Sequence, residues 1–294
     1  MQRIQPLIAT VSATRHILKK FHLRASKRFG QNFLIDRSVV NDIVDEADIA
    51  DGEAVLEIGP GIGTLTQGLL EEGAHVTAVE IDKKLPAVLA ETLAGYENLS
   101  LVQGDILKVN INELMNGQPF KVVANLPYYI TSQIILTLLE QKLPITKIVT
   151  MVQREVAERM VATPAKLAAS KESAKTYGAL SVAVQFYTEP RIAFDVPPSA
   201  FLPNPDVTSS VIVCNVRQRP AVEVSDERFF FRVVRASFGQ RRKTLINSLV
   251  GAGFNREAVL EALQEANIDL NRRAETLSIN EFAMLANNIF KETA

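Results

Sequence analysis

Tryptophan is absent from the 294 residues, cysteine occurs once, and no apolar run approaches the length needed to cross a hydrocarbon layer of about 30 Å. The short runs argue against a helical membrane span. The lone Cys214 rules out an intramolecular disulfide framework and suits a reducing compartment. Its setting in the apolar run VIVCNV points to a buried small hydrophobe rather than a catalytic thiol. Net charge is close to absent as well, at −1, but acidic residues are missing unevenly. None occurs from Met1 to Ile35, where Arg3, Arg15, Lys19, Lys20, Arg24, Lys27 and Arg28 stand. None occurs from Phe229 to Phe254 either, a stretch carrying Arg232, Arg235, Arg241, Arg242 and Lys243. Separate basic patches on a near-neutral chain fit a polyanion held at defined places, although solvated surface charge explains either patch alone equally well. The N-terminal stretch also has the composition of an organelle transit peptide. It runs unbroken into RFGQNFLID and interleaves aromatics with cations, so we expect an arm that stays on the protein.

What is present is a core-forming chain, 47% hydrophobic, large enough for one substantial domain and a smaller one. Short β-rich runs recur as AVLEIG (54–59), HVTAVEI (75–81), LSLVQGD (99–105), KVVANL (121–126) and KIVTMVQ (147–153). Between them lie helix-like segments such as TLTQGLLEEG, with Gly73 as C-cap, and TSQIILTLLEQK, with Thr131 or Ser132 as N-cap. This alternation predicts a parallel sheet covered on both faces. SVAVQFYTEPRIAFDVP and SSVIVCNV are expected as further strands, and from about Pro220 the pattern becomes helical through FFFRVVRASF, KTLINSLV, REAVLEALQEAN and INEFAMLANNIF.

The chemistry gathers at predicted strand ends. VLEIGPGIGTLT sets Gly59, Gly61 and Gly63 between a strand and a helix, a turn that lets backbone approach a ligand at the carboxyl edge of an open sheet. The pattern is G-x-G-x-G and lacks the full dinucleotide fingerprint, so a pyrophosphate on the helix N-terminus is not indicated. Glu80 ends the second strand, where a carboxylate can accept both hydroxyls of a ribose, and Asp105 ends the third within reach of an adenine amine. A nucleoside held without phosphate contacts points to S-adenosylmethionine. Each acid taken singly is more often a strand-end cap; their order on successive strands favours the site. In ANLPYYI, Asn125 ends the fourth strand and Pro127 stiffens the turn, holding Leu126 extended. The Asn125 side chain and the Leu126 carbonyl can accept the two protons of an exocyclic amine, and the Tyr128 ring can stack on its heterocycle. Tyr128 and Tyr129 packing on the next helix is the plainer alternative, at even odds for Tyr129.

With these residues in view, the chain closely resembles the KsgA family of small-subunit ribosomal RNA adenine N6,N6-dimethyltransferases. The likeness runs in family order through RFGQNFLID (28–36), EIGPGIGTLT (57–66), VEID (79–82), GDIL (104–107), NLPYYI (125–130), QREVAERM (153–160), YGALSVAVQFY (177–187), VPPSAFLPNPDVTSSVI (196–212), FGQRRKTLINSL (238–249) and RAETLSINEF (273–282). The resemblance implies an α/β fold: a Rossmann-like class I methyltransferase domain with a mostly parallel seven-stranded sheet and a small all-helical C-terminal domain. We expect a basic arm at 1–35, the methyltransferase domain at 36–218 and a helical RNA-binding domain at 219–294. The implied cofactor is S-adenosylmethionine, without metal, held by Asn32, Leu34, Gly59, Glu80, Asp105 and Asn125. The implied target site is Asn125, Leu126, Pro127 and Tyr128, with Phe201 as a second stacking face and Arg241, Arg242 and Lys243 on the RNA. The implied reaction dimethylates N6 of two adjacent adenosines in the 3′-terminal stem-loop of 16S rRNA, on a 30S assembly intermediate, by a cytoplasmic monomer with no membrane partner. Two positions depart from the family pattern: the alanine- and lysine-rich segment between Thr163 and Tyr177, and Pro86, which a helix's first turn accommodates. Rival readings are a ribosome-assembly or transcription factor without chemistry, a DNA adenine or protein-glutamine methyltransferase with a similar Asn-Pro-aromatic turn, and a nicotinamide-linked dehydrogenase. Glu80, Asp105 and NLPY argue against the first, QNFL and QRRK against the second, and the incomplete glycine fingerprint against the third.

Overall fold

A computed structural model describes residues 5–26, 29–164 and 176–293. Arg3, Lys27 and Arg28 of the basic arm, and all but the ends of the alanine- and lysine-rich segment 164–176, lie outside the described residues. The chain divides into two compact units, one of Met1–Ala157 with Pro190–Val216, the other of Glu158–Glu189 with Arg217–Ala294. This differs from the boundaries expected at 36–218 and 219–294, because residues 158–189 group with the C-terminal helices.

The first unit is built on a seven-stranded sheet. In chain order its strands are β2 (Ala54–Ile58), β3 (His75–Glu80), β4 (Leu99–Gln103), β5 (Phe120–Asn125), β6 (Ile145–Gln153), β7 (Thr188–Val196) and β9 (Ser209–Val216), arranged β4-β3-β2-β5-β6-β9-β7. All pairs from β4 to β6 are parallel, and β9 runs antiparallel to β6. The central strands are buried along nearly their whole length and mostly apolar, as expected of parallel strands covered on both faces, with Glu57 and Lys121 as buried charged exceptions. Chain order reverses between β2 and β5, so their carboxyl ends diverge into the crevice where open α/β sheets bind ligands. Their register sets Glu57 opposite Val123, so the turn at Gly59 and the strand end at Asn125 leave the same edge of the sheet.

Helix α2 (Arg37–Ala47) precedes β2, and α3 (Thr64–Glu71), α4 (Leu85–Thr92), α5 (Ile111–Leu114) and α6 (Thr131–Glu140) join the successive parallel strands. The C-cap of α3 is Glu72, one residue before the expected Gly73, which follows at φ +99° with the Ala74 N–H on the Leu69 carbonyl. Pro86 sits in the first turn of α4. The N-cap of α6 is Ile130 rather than Thr131 or Ser132: the Thr131 hydroxyl donates to the Pro127 carbonyl at 2.9 Å instead of accepting an amide.

The basic N-terminal segment is not a free arm over its described residues. Thr10 caps α1 (Val11–Lys20) with a hydrogen bond from Ala13 N–H. Ile8, Ala9, Thr14 and Ile17 are buried, while Arg15, Lys19 and Lys20 stay exposed. The buried Gln67 side chain of α3 accepts the Ile8 N–H at 3.0 Å and donates to the Pro6 carbonyl at 3.1 Å. After Gly30 the chain forms β1 (Phe33–Leu34), paired antiparallel with β8 (Phe201–Leu202).

The second unit is helical. It contains α7 (Arg154–Val161) from Glu158 onward, α8 (Ala179–Tyr187), α9 (Glu227–Phe238), α10 (Leu245–Gly251), α11 (Arg256–Glu265) and α12 (Ile279–Thr293). SVAVQFY, expected as strand, is therefore helix, and the strand begins at Thr188. Ser181 fixes the start of α8 by accepting the Gly178 N–H at 3.0 Å and donating to the Arg159 carbonyl. Its Phe186 ring packs 5.1 Å from both Phe230 and Phe231 of α9. Arg232 is exposed yet lies over two rings, 4.8 Å from Phe229 and 4.6 Å from Phe254, so part of the second basic stretch is occupied in holding its own unit together.

Candidate active site

The turn after β2, the ends of β3 and β5, and the segment leading into β1 form an open cavity of about 90 Å³. Asn32, Leu34, Gly59, Glu80, Asn125 and Pro127 all line it, so six of the residues singled out from sequence converge on one space. The glycine turn is shaped for access. Gly59 and Gly61 have φ of +70° and +61°, and a Cβ placed on Gly59 would meet nothing within 4 Å. A ligand can therefore lie directly against this backbone.

Glu80 is buried and its carboxylate is aimed by two amides, Asp82 N–H at 2.7 Å and Gly61 N–H at 3.2 Å. Burial raises its pKa above the ordinary value, and these two donors oppose the shift. Each oxygen keeps lone pairs for hydroxyl donors. Ile81 follows it with its side chain 46% exposed into the cavity wall, an apolar surface against which a heterocycle can lie. Gln31 ties the segment before β1 to the loop after β3, donating to Asp82 at 2.9 Å and accepting the Ser26 N–H at 2.8 Å. The Asn125 amide nitrogen donates to the Asn32 carbonyl at 3.3 Å, and because the amide is planar this bond also fixes the direction of its oxygen. Asn125 thus offers an acceptor at the cavity wall, not a base.

Sequence reasoning missed Glu57. It lies in the same wall, 1% exposed, and its Oε2 has no hydrogen-bond partner; the nearby Thr64 Oγ1 is likewise buried and unpartnered. Burial pushes its pKa up to about 8; the Thr66 hydroxyl opposes this and the like charge of Glu80 adds to it. A cationic ligand group placed beside it would favour the ionised carboxylate and lower this pKa. A carboxylate aimed for hydroxyls, an apolar shelf, open glycine backbone and orphaned polar oxygens together match the parts of the S-adenosylmethionine expected from sequence. The signal for Glu57 was its place in VLEIG, two residues before Gly59. Among the described residues no cluster of three or more His, Cys, Asp or Glu side chains could hold a metal ion.

Other expected residues fall elsewhere. Asp105 does not line the cavity: it sits beyond β4, with Oδ1 accepting the Leu107 N–H at 3.1 Å and Oδ2 3.7 Å from Lys108. The Leu126 side chain is buried, leaving only its backbone to serve a ligand. Tyr128 is half-buried and its hydroxyl is bonded to Ser209 at 2.6 Å; burial raises its pKa. Phe201 needs correction as a second stacking face. Pairing of β8 with β1 sets it opposite Leu34 and leaves it 0% exposed, so its ring has no open side. Arg241, Arg242 and Lys243 are exposed on the turn between α9 and α10 of the second unit. No helix among the described residues is long and apolar enough to cross a membrane.

The chain matches the family model for ribosomal RNA adenine dimethylases over residues 22–291. It is 47% identical over 287 residues to a protein from Clostridioides difficile named ribosomal RNA small subunit methyltransferase A, covering 96% of both chains. It is also 47% identical to a protein of the same name from Bacillus pumilus, covering 97% of this chain and 98% of that one. Among solved structures, the 23S rRNA methyltransferase ErmE is 26% identical with a TM-score of 0.66, covering 88% of this chain and 100% of that one. A dimethyladenosine transferase from Plasmodium falciparum, 24% identical over 86% of this chain and 95% of its own, has the same fold at a TM-score of 0.72. A family model spanning both units, and relatives aligned almost end to end, leave one conclusion: the chain belongs to the ribosomal RNA adenine dimethylase family.

Proposed function

We propose that the protein transfers methyl groups from S-adenosylmethionine to N6 of two adjacent adenosines in the 3′-terminal stem-loop of 16S rRNA, within a 30S assembly intermediate, and so serves small-subunit biogenesis. The observation that carries the chemistry is the Asn125 side chain, anchored by its nitrogen on the Asn32 carbonyl and lining the cavity beside Gly59 and Glu80. Family membership and the relatives' names support the RNA substrate.

The bound cofactor supplies an electrophilic methyl on a sulfonium. Glu80 accepts the ribose hydroxyls, Gly59 and the Asn32–Leu34 segment form the flanking walls, and Asp105 takes the adenine amine from the strand beyond. Adenine N6 is a weak nucleophile because its lone pair is delocalised into the ring. The Asn125 oxygen and the Leu126 carbonyl accept its protons, which favours a more pyramidal nitrogen and fixes its approach. An acceptor is enough, since the N6 proton becomes strongly acidic once nitrogen bears positive charge. Tyr128, its hydroxyl tethered to Ser209, supplies a ring for the target base, and Pro127 keeps the turn stiff. The base must leave its stack to enter, a step that costs least in a loop. Arg241, Arg242 and Lys243 and the exposed cations of α1 serve the RNA backbone. In this reading the protein is a cytoplasmic monomer.

Incubation with labelled S-adenosylmethionine and small subunits lacking the modification tests the reading. Label in dimethyladenosine at the terminal loop is expected; label in another base, or none, would overturn it.

A further inference from the structure

We propose that Tyr129 is a stacking platform for the nucleotide adjoining the target adenosine, holding the RNA strand open at the mouth of the cavity. This rests on the reading that the chain methylates adenosines in RNA. Tyr129 is 64% exposed, the most exposed large hydrophobic side chain among the described residues and the one aromatic ring in that group. It does not float. Pro127 stiffens the turn that carries it, and the Pro127 carbonyl accepts from Ile130 N–H at 3.2 Å and from the Thr131 hydroxyl at 2.9 Å.

One edge of the ring lies over Gly30: a Cβ built there would stand 3.4 Å from Tyr129 Cδ1, 3.5 Å from its Cε1 and 3.5 Å from Pro127 Cβ. Gly30 and Pro127 both line the cavity, so the ring edge over Gly30 stands at the rim while most of the ring's surface faces solvent. Its neighbour Tyr128 does the opposite, half-buried with its hydroxyl on Ser209. The two tyrosines therefore divide the turn, one ring toward the protein and one outward.

A strand that delivers one base into the cavity breaks that base's stack with the next nucleotide. The neighbour is left with an uncovered π face at the rim, and an exposed aromatic ring is the group that replaces the broken stack without reading sequence. Because the target adenosines are adjacent, the nucleotide on the platform is at one stage the second target itself.

Steady-state transfer to small subunits lacking the modification tests this with Tyr129→Ala, Tyr129→Leu, Tyr129→Phe and Tyr129→Trp. Loss of the ring in the Ala and Leu variants is expected to raise KM for the subunit about tenfold or more, with kcat and cofactor affinity within about twofold of wild type. Phe and Trp are expected to restore KM; Leu fills similar volume without a π face and is not. A Leu variant with wild-type KM overturns the proposal. So do Ala and Leu variants that weaken cofactor binding while leaving the subunit KM unchanged, which marks a wall-packing role. A wild-type protein inactive on these subunits overturns the underlying reading as well, whereas an active wild type with an indifferent Leu variant overturns the platform alone.

Discussion

Glu57 holds a proton that its ordinary chemistry would give up. Its carboxyl, buried with an unpartnered oxygen, has a pKa raised from 4.5 to about 8, with burial as the main cause. Between these values the native protein binds one proton more than the unfolded chain at this site, so stability falls as pH rises through the window and is fully present only below the lower value. Glu57→Gln keeps the shape and removes the titration. Denaturant unfolding across this range is expected to show a flatter pH profile for the variant, by up to about one proton, with its advantage over wild type greatest above the raised pKa. At Asn125 the expectation is catalytic: Asn125→Ala should cut turnover about a hundredfold or more while RNA binding survives, and unchanged turnover would exclude the acceptor role. The cavity-lining residues were legible where a motif ended a strand, since Gly59, Glu80 and Asn125 all stand at the carboxyl edge of the parallel sheet. Phe201 was misread because an aromatic ring in a proline-rich turn looks the same in sequence whether its strand partner covers it or not. Glu57 was passed over for a related reason, its carboxylate being surrounded by residues that any buried strand would carry.

At the scale of elements, α2 and α3 meet through a residue with no side chain. A Cβ on Gly68 would lie 2.6 Å from Val40 Cγ1 and 3.3 Å from Val44 Cγ2. Gly68→Ala should therefore destabilise the protein by about 1–3 kcal/mol through overpacking, despite alanine's better helix propensity, and thermal unfolding measures the difference. The alternation of strand and helix was readable because the parallel strands are short, mostly apolar runs and the segments between them are long enough for a helix, as TLTQGLLEEG and TSQIILTLLEQK are. Helix α8 was not, for a physical reason. Leu180, Ser181, Val182, Ala183, Val184, Phe186 and Tyr187 are all buried, and a helix enclosed on most sides loses the 3.6-residue alternation that distinguishes it from a strand. The N-terminal segment was misjudged in the other direction. Its cations suggested an arm, while the burial of Ile8, Thr14 and Ile17 and the clamp from Gln67 depend on a groove that only the folded sheet provides.

For the whole molecule, charge and connectivity matter more than any single pair of side chains. Neutralising Arg241, Arg242 and Lys243 together should weaken RNA binding and lower the slope of log affinity against log salt by up to about three, one for each phosphate left without its cation. Titrations at several salt concentrations measure this, and an unaltered slope would count against the patch. Arg232 belongs in a separate comparison, because its stacking between Phe229 and Phe254 predicts that its loss is felt as stability rather than affinity. The domain count was legible in the shift to helical pattern near Pro220. The seam was not, because it depends on where α8 packs, and α8 had the composition of a strand.

That seam has a consequence for how the protein could have been assembled or could be dissected. The chain passes between the units three times, after Ala157, after Glu189 and after Val216. No single cut separates them: a fragment ending at Val216 keeps α8 but strips Phe230 and Phe231 from Phe186, leaving a sticky apolar helix face with nothing to cover it. The helical unit is thus not a cartridge that recombination at one junction could exchange. A graft of it has to carry residues 158–189 along with the C-terminal helices.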